Sequence, residues 1–401
     1  MFRKSLSFCA VLGTLACSQI SSAHDLAFDE DAAPRRPGFS SYVFTAPAED
    51  DAIAPREEGE EHVKIEATVK LSPEMMALRD QIDRTLQFYY ERPENVAQRS
   101  VWGVMHALIA YGVDTEVLVG DRKANAIGWV CYNGPCNGQR LFYLDRGELT
   151  PRQGPGVQGH HGQFLAMLAQ SRVKKDFPIR VEGKDFTVAD LIEYEKRTCY
   201  AKTELTFKLI ALAHYLPSDE TWKNDRGETW SIQRLIQEEM AQPIVGAACG
   251  GTHRLTGFSY AVNKRTTRGE EFTGEWLRAK TFEESYLDYL MKLRNPDGSF
   301  STQYFAGRGL HGDDKRRIET TGHMAEWMVY ALPKDQLDDP RVVGTMDYLN
   351  NLMWRNRNTD LGIGPRGHAL HALVMYQERM FQVPPGHRTL KLAKEQRKTE
   401  K

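Results

Sequence analysis

Four histidines occupy the same kind of position in this sequence. Each follows a short turn of small residues and stands at the start of an apolar segment, as in Thr321-Gly322-His323. At a helix N-terminus, free N–H groups and the helix dipole favour anions and lower the pKa of an imidazole. A neutral histidine there could act as a general base. With a glutamate in the matching place of a fifth segment, the candidate catalytic residues are His161, Glu204, His253, His323 and His368.

Basic and phenolic residues near the same turns could bind an acidic substrate. We expect Arg254, Arg308 and Arg366 to hold a carboxylate or sulfate, and Tyr132 to supply a phenol. A base, an acid and a cation that neutralises a uronate are the groups that β-elimination on an acidic polysaccharide requires. Hydrolysis is less favoured, because no pair of carboxylates stands out for it. The pattern therefore favours acid–base chemistry of the polysaccharide-lyase type, without a cofactor.

Two spacings leave a metal site open as an alternative. Glu319 and His323 are four residues apart, as are Cys249 and His253, and residues at this spacing share one face of a helix. Neutral imidazoles with a carboxylate suit zinc, although the sequence has no His-Glu-x-x-His motif. A third interpretation is that the histidines only cap helices, in a non-catalytic binding or scaffold protein.

A series of paired helices would position these residues. The segment 183–193 aligns without gaps with the segment 227–237, and Thr187 or Ser231 can cap the helix in each. Each amphipathic helix leads into a more apolar partner, which should be buried. The predicted inner helices are 99–111, 161–171, 204–215, 253–262, 323–332 and 368–380. Over residues 73–383 this pattern predicts an all-α fold in a closed double ring, and an open solenoid of hairpins would give the same pattern.

The segments outside this domain have the composition of targeting and linker sequences. Residues 1–23 have the charged start, apolar run and small-residue end of a signal peptide, so we expect export to the periplasm or beyond. The acidic, Pro- and Ala-rich residues 24–72 predict a disordered linker, and residues 384–401 a basic polar tail. A formal net charge of -2 gives no electrostatic reason to expect nucleic acid as a partner. No apolar stretch after the signal is long enough to span a bilayer.

Export gives the remaining cysteines a predicted role. Cys131, Cys136, Cys199 and Cys249 are an even number, which favours disulfides in an oxidising compartment. Four cysteines allow three pairings. We favour Cys131–Cys136, across the turn of a β-hairpin-like insertion near residues 127–144, and Cys199–Cys249, in corresponding turns of neighbouring helix pairs. The first loop would roof the histidine-ringed mouth.

Residues Tyr289–Phe300 resemble the QW repeat of terpenoid cyclases. That repeat has an aromatic and an aliphatic residue, then Gln, Gly and Trp at fixed spacings. Here Arg294 replaces the Gln, Gly298 is kept and Phe300 replaces the Trp. Terpenoid cyclases and protein prenyltransferases share an α/α-toroid fold, so the resemblance implies a single toroid of about six helical hairpins. It implies no activity, because the acidic motifs of the cyclases and the Asp-x-Cys zinc pair of the prenyltransferases are absent.

These features together predict an exported α/α toroid that acts at one mouth of its ring. The predicted partner is an extracellular polymer, with an anionic polysaccharide the first candidate. A zinc-dependent toroid enzyme and a non-catalytic binding protein remain the alternatives.

Overall fold

A computed structural model describes residues 71–310 and 312–389 of the chain. These residues are mostly α-helical, as the sequence predicted. The helices are α1 (Pro73–Tyr90), α2 (Val101–Tyr111), α3 (Ala126–Cys131), α4 (Gln163–Gln170), α5 (Val188–Arg197), α6 (Thr206–Tyr215), α7 (Ile232–Met240), α8 (Thr252–Thr267), α9 (Gly274–Leu293), α10 (Asp314–Ala331), α11 (Pro340–Arg355) and α12 (Ile363–Met380). None of these helices is long and apolar enough to cross a membrane.

Short strands occupy several connections between the helices. A three-stranded sheet joins β1, β2 and β3, and three antiparallel hairpins join β4 to β5, β6 to β7 and β8 to β9. The strands are β1 (Glu94–Asn95), β2 (Glu116–Val119), β3 (Arg122–Asn125), β4 (Phe142–Asp145), β5 (Glu148–Pro151), β6 (Pro178–Val181), β7 (Lys184–Thr187), β8 (Thr221–Lys223) and β9 (Thr229–Ser231).

The even-numbered helices from α2 to α12 form an inner layer. Each packs against the next along the chain, and α12 packs against α2, so that the series returns to its start. Their side chains are buried around most of each helix, in contrast to the one-sided burial of α5 and α7. Helices α1, α5, α7, α9 and α11 pack against this layer. The predicted alternation of buried and amphipathic helices is therefore present.

The internal repeat seen in the sequence corresponds to a hairpin followed by a helix. β7 leads directly into α5 and β9 into α7. The Thr187 side chain and Asp190 form a capping box at the start of α5, and the Ser231 hydroxyl accepts a hydrogen bond from the backbone N–H of Arg234. Both caps satisfy N–H groups that a helix leaves unpaired at its first turn. Local sequence thus determines where these outer helices begin.

The predicted β-hairpin near residues 127–144 is wrong. Residues Ala126–Cys131 are the helix α3, and the strands lie on either side of it, in β2–β3 and β4–β5. Asn125 caps this helix, because its side chain accepts from the N–H of Gly128. Ile127 and Val130 are then buried on its inner face. The β-branched residues that suggested a strand pack equally well on one face of this short helix.

The Tyr289–Phe300 motif forms the end of α9 and the turn that follows it. Phe300 is fully buried, and the Arg294 guanidinium donates to the Thr345 hydroxyl on α11. Gly298 has a φ of 98°, and a Cβ there would lie 2.7 Å from the carbonyl oxygen of Gly344. The spacing of the motif therefore allows a tight turn that packs the end of α9 against α11.

Several sequence predictions concern residues outside the described ranges. The predicted signal peptide and nearly all of the predicted linker lie there, as does most of the predicted tail. Residues 384–389 are described, and Arg388 is buried, with its guanidinium donating to Gln377. The hydroxyl of Thr389 donates to Asp114 at 2.6 Å. This part of the tail therefore packs against α2 and α12.

Candidate metal centre

Three of the predicted histidines converge inside the inner layer. His253 belongs to α8, His323 to α10 and His368 to α12, and all three are buried. The ring centroids of His323 and His368 are 4.0 Å apart, and those of His253 lie 5.0 Å from His368 and 5.6 Å from His323. The structure therefore brings three of the five predicted residues together, in the buried interior and not around an open mouth.

A cysteine joins two of these histidines in a ligand-like arrangement. One potential ligand atom from each of Cys249, His253 and His323 lies within 4.8 Å of the other two. Thiolate sulfur and imidazole nitrogen are the donors that zinc prefers, and a single ion can bridge donors at such separations with a small closure. Glu319, the carboxylate expected from its spacing to His323, instead binds the Arg316 guanidinium at 3.0 Å.

The imidazole nitrogens that face the cluster have no hydrogen-bond partner. Both ring nitrogens of His253, and the Nε2 atoms of His323 and His368, are buried and unsatisfied. The opposite nitrogens are held: His323 Nδ1 lies 2.7 Å from the carbonyl oxygen of Glu319, and His368 Nδ1 lies 2.7 Å from a carboxylate oxygen of Glu326. Metal-binding histidines are typically oriented through the second nitrogen in this way. A bound metal would satisfy lone pairs that are costly to bury unpaired.

The histidines are also in the protonation state that a metal requires. Burial, with the neighbouring His368 and His323, lowers the pKa of His253 well below its ordinary value. Burial and the nearby His368 lower the pKa of His323 to about 3. Both imidazoles are therefore neutral at pH 7. One nitrogen of each ring has a free lone pair, so a metal would not have to displace a proton from it.

A tight glycine turn brings Cys249 to the histidines. Cys249 itself has φ 50° and ψ 39°, within a short 3₁₀ helix over Ala248–Gly251. A Cβ on Gly250 would lie 2.1 Å from the ring of Tyr304, and Gly251 would clash similarly with Ile244. The Cys-Gly-Gly sequence is thus required by close packing as well as by positive φ. It fixes the thiol one helical turn before His253.

The small residues before His323 and His368 do not form turns. α10 begins at Asp314, where the Asp313 side chain caps it, so His323 is in the interior of a helix. His368 is the sixth residue of α12. The helix-terminus argument made from the sequence therefore does not apply to these two histidines.

Their glycines serve instead to bring the inner helices together. A Cβ on Gly322 would lie 3.0 Å from the Cα of Ala369 on α12, and one on Gly367 would lie 2.4 Å from the carbonyl oxygen of His106 on α2. Close approach of the two backbones is what places the histidine rings in contact. Glycine is the residue that permits such an approach.

The other two predicted catalytic residues are arranged differently from the prediction. His161 is exposed, and its neighbour His160 makes the contact with Glu204, Nδ1 to carboxylate oxygen 2.7 Å. The His160 ring lies 6.4 Å from that of His253. The sequence identified the correct turn but the wrong histidine of an adjacent pair, because only the packing of the turn on Phe207 decides which ring faces inward.

The predicted substrate-binding arginines are mostly engaged within the protein. Arg254 is buried, where it binds the Glu239 carboxylate at 2.9 Å, and Arg366 pairs with Glu94. Arg308 is exposed. Tyr132 is half-buried beneath the Arg180 guanidinium. Arg254 and Arg366 therefore both compensate carboxylates of the fold, and their binding of a substrate stays a prediction.

Arg254→Ala is expected to lower the free energy of unfolding by about 3 kcal/mol, because Glu239 would keep a buried charge without its cation. The N–H of Leu205 and the hydroxyl of Thr206 also donate to Glu239, which holds the cost at the low end of the usual range. Urea denaturation would measure the change. The exposed Arg308→Ala is the control, expected within about 0.5 kcal/mol of the parent. Equal stability of the two variants would contradict the structural role.

The structure contains no disulfide between the four cysteines. Cys131, Cys136 and Cys199 are buried thiols, and burial raises the pKa of Cys199 to about 11. The thiol of Cys199 donates to the carbonyl oxygen of Glu195, while Cys249 lies beside His253 and His323. The expected Cys199–Cys249 pair is thus not formed, because each thiol has a different environment. Cys131–Cys136 is likewise not formed, since Cys131 ends α3 and Cys136 pairs its backbone with Gln139.

Sequence reasoning missed three residues around the cluster. Glu326 is buried between His368 and His371, with His371 Nδ1 2.6 Å from its second oxygen. The hydrogen bonds and charge of the two imidazoles overcome the effect of burial and hold the pKa of Glu326 well below its usual value. His106 lies with its ring 5.5 Å from that of His368. The only sign of these residues in the sequence was a polar side chain within an otherwise apolar segment. Such a side chain does not indicate which residue it contacts in the folded protein.

Two cavities flank this cluster along the inner layer. A small one of about 10 Å³, lined by His253, His368, Glu326 and Gln170 among others, has room for about one water molecule. A second cavity of about 890 Å³ lies toward the C-terminal ends of the inner helices. Ile109 and Gln170 line both, so the two are neighbours.

Comparison with known proteins does not extend this description. No protein family, curated protein or solved structure matches the chain. The class of protein is therefore defined by its own fold and site: a mostly helical domain with a buried Cys–His cluster between its inner helices. Function has to be inferred from those residues.

Proposed function

We propose that this protein is an α/α toroid that binds a transition metal and uses the metal in hydrolysis. Zinc is the first candidate for the metal. The toroid is supported by the return of the inner series to its start, since α12 packs against α2. An open solenoid would leave its first and last inner helices apart. The Tyr289–Phe300 motif is consistent with the same architecture.

The observation that carries the metal is the set of orphaned nitrogens beside a thiol. Cys249, His253 and His323 supply one sulfur and two nitrogen donors at one point. Mixed thiolate and imidazole ligands suit zinc better than the hard cations, which prefer oxygen. Glu319, through its backbone oxygen, would fix the orientation of His323.

His368 is proposed as the acid–base group of the site. Its Nε2 is buried and unsatisfied beside the cluster, while Nδ1 is held by Glu326. An imidazole fixed by a carboxylate can accept and return a proton at its other nitrogen. A zinc ion held by three protein ligands would supply Lewis acidity and lower the pKa of a water molecule. His368 would then hold the proton that this water gives up.

This assignment moves hydrolysis ahead of the elimination that the sequence favoured. With export still expected for this chain, the proposed substrate remains an extracellular polymer such as an anionic polysaccharide. The pair His160–Glu204 favours metal-free acid–base chemistry as the second candidate, because it is a partly exposed imidazole oriented by a carboxylate.

Metal analysis of the purified full chain tests the proposal. We expect about one zinc per chain after equilibration with zinc and removal of the excess. The His214→Ala variant is a matched control, because His214 lines the 890 Å³ cavity and is not one of the three clustered donors, and it should keep the metal. If neither protein retains zinc, the metal proposal fails and the pair His160–Glu204 becomes the leading site.

A further inference from the structure

A basic side chain in the lining of the 890 Å³ cavity has no ion-pair partner. The Lys264 ammonium on α8 makes no side-chain hydrogen bond or ion pair with any residue the structure describes, and the imidazole of His214 on α6 lines the cavity as a neutral group. Arg172 lines it as well, and binds Glu378 at 2.8 Å. A cavity of this volume could hold an organic ligand with several rings. The volume is within the usual range for ligand-binding pockets.

These cations are not explained by capping of the helix ends. Basic residues do commonly compensate the carbonyls at a helix C-terminus. Here Arg379 and Arg268 have that role: Arg379 donates to the carbonyl of Leu332 at 2.7 Å, and Arg268 to that of Leu216 at 2.9 Å. Lys264 makes no such bond. It is an additional cation in a lining that also contains the basic residues Arg172, Lys280 and Arg379 and the carboxylates of Glu284 and Glu378.

The electrostatic consequences are visible in the neighbouring groups. Burial, and then the charges of Lys264 and Arg172, lower the pKa of His214 to about 3. Burial, and then Arg268 and Arg172, lower the pKa of Lys264. Like charges that disfavour one another in this way are stabilised when an anion enters. An anion placed beside Lys264 and Arg172 would therefore be stabilised.

The rest of the lining suits a saccharide more than a purely apolar acid. Tyr260 and Tyr330 line the cavity, and their rings stack on each other with centroids 4.3 Å apart. Glu283 is buried, and its Oε1 has no hydrogen-bond partner. Burial raises the pKa of Glu283 to about 7, so at neutral pH the carboxyl is protonated in a large fraction of molecules and can donate a hydrogen bond.

We propose that this cavity binds a carboxylate-bearing saccharide, with the carboxylate held by Lys264, His214 and Arg172. The apolar and aromatic walls would contact the sugar rings, and Glu283 would meet a hydroxyl. Treating that saccharide as the substrate rests on the proposed function; binding itself does not require the metal.

The cavity also lies next to the candidate metal centre. His371 lines the cavity and shares Glu326 with His368, which faces the centre. Ile109 and Gln170 line both this cavity and the smaller one beside the histidines. A saccharide end in the large cavity would therefore lie next to residues that pack around the cluster.

Isothermal titration of the full chain with trigalacturonate, and with the uncharged trisaccharide maltotriose, tests the proposal. We expect trigalacturonate to bind at least about tenfold more tightly than maltotriose, because only trigalacturonate has carboxylates that can form an ion pair with the Lys264 ammonium. Lys264→Gln should weaken trigalacturonate binding by about tenfold, with little effect on maltotriose. The exposed Lys223→Gln, outside the cavity lining, should leave both unchanged.

A second variant in the cavity keeps the test valid if Lys264→Gln fails to fold. Val374→Trp would fill the cavity without changing its charge, and should abolish binding of trigalacturonate while the circular dichroism stays that of the parent. Equal affinity for the two trisaccharides, or unchanged affinity in both lining variants, would overturn the proposal. Titration of chelator-treated protein separates the two hypotheses. Trigalacturonate binding by a protein that takes up no zinc would uphold this site and reject the metal centre, and zinc uptake without trigalacturonate binding would do the reverse.

Discussion

The His253→Ala variant is expected to bind zinc about a hundredfold to a thousandfold more weakly than the parent. Structural zinc sites with four ligands contribute about 10–16 kcal/mol in total, so one ligand accounts for roughly 3–4 kcal/mol. His253 carries two buried nitrogens without a partner and lies within 4.8 Å of both other donors. Competition with a zinc-sensitive chelating dye would measure the affinity.

His161→Ala is the matched control for this experiment. It removes an exposed histidine from the turn that the sequence singled out, and it should leave the zinc affinity unchanged.

His368→Ala distinguishes a site with three protein ligands from a site with four. Retained zinc would identify His368 as a group beside the metal, whereas a loss as large as that of His253→Ala would make it a fourth ligand and the site structural. Equal zinc affinity in His253→Ala and the parent would reject the cluster as a metal site.

Glu326→Ala is expected to lower the free energy of unfolding of the metal-free protein by about 3–5 kcal/mol. The variant removes the single carboxylate that holds two buried imidazoles, and breaking one side of a buried charged pair has a cost of this size. Glu326 binds His368 at 2.7 Å and His371 at 2.6 Å. Chemical denaturation in the presence of a chelator would measure the effect.

The same variant should reduce zinc affinity by about tenfold to a hundredfold if His368 approaches the metal, because residues that orient a metal site have effects of this order. Glu319→Ala provides the control. Its backbone oxygen, not its side chain, holds His323, and its carboxylate is partly exposed beside Arg316. We expect a loss of less than about 1 kcal/mol and unchanged zinc affinity. Comparable losses in the two variants would show that Glu326 has no special role.

Much of the helical framework could be predicted from the sequence because it depends on local interactions. The repeat 183–193 and 227–237 predicted two capped amphipathic helices, and the caps Thr187 and Ser231 are present. Capping and helical periodicity involve residues three or four apart, which a single sequence displays directly. The prediction for the insertion near residues 127–144 was wrong because its run of β-branched residues is short enough to form either a strand or a helix.

The composition of the candidate site was also visible in the sequence, but its geometry was not. Histidines next to glycines were found, and the spacing of Cys249 and His253 suggested a metal, although Cys249 lies in the turn before α8. The true purpose of Gly322 and Gly367 lies in the approach of α10, α12 and α2, and no local signal distinguishes a packing glycine from a turn glycine.

Local sequence therefore specifies most of the helices, their caps and the supply of histidine and cysteine side chains. Which of these side chains meet depends on the tertiary structure. Glu326 and His368 are 42 residues apart, and His160 rather than His161 faces Glu204 across 44 residues. Such contacts depend on how whole helices pack against one another, and the periodicity of one helix contains no information about the register of its neighbour.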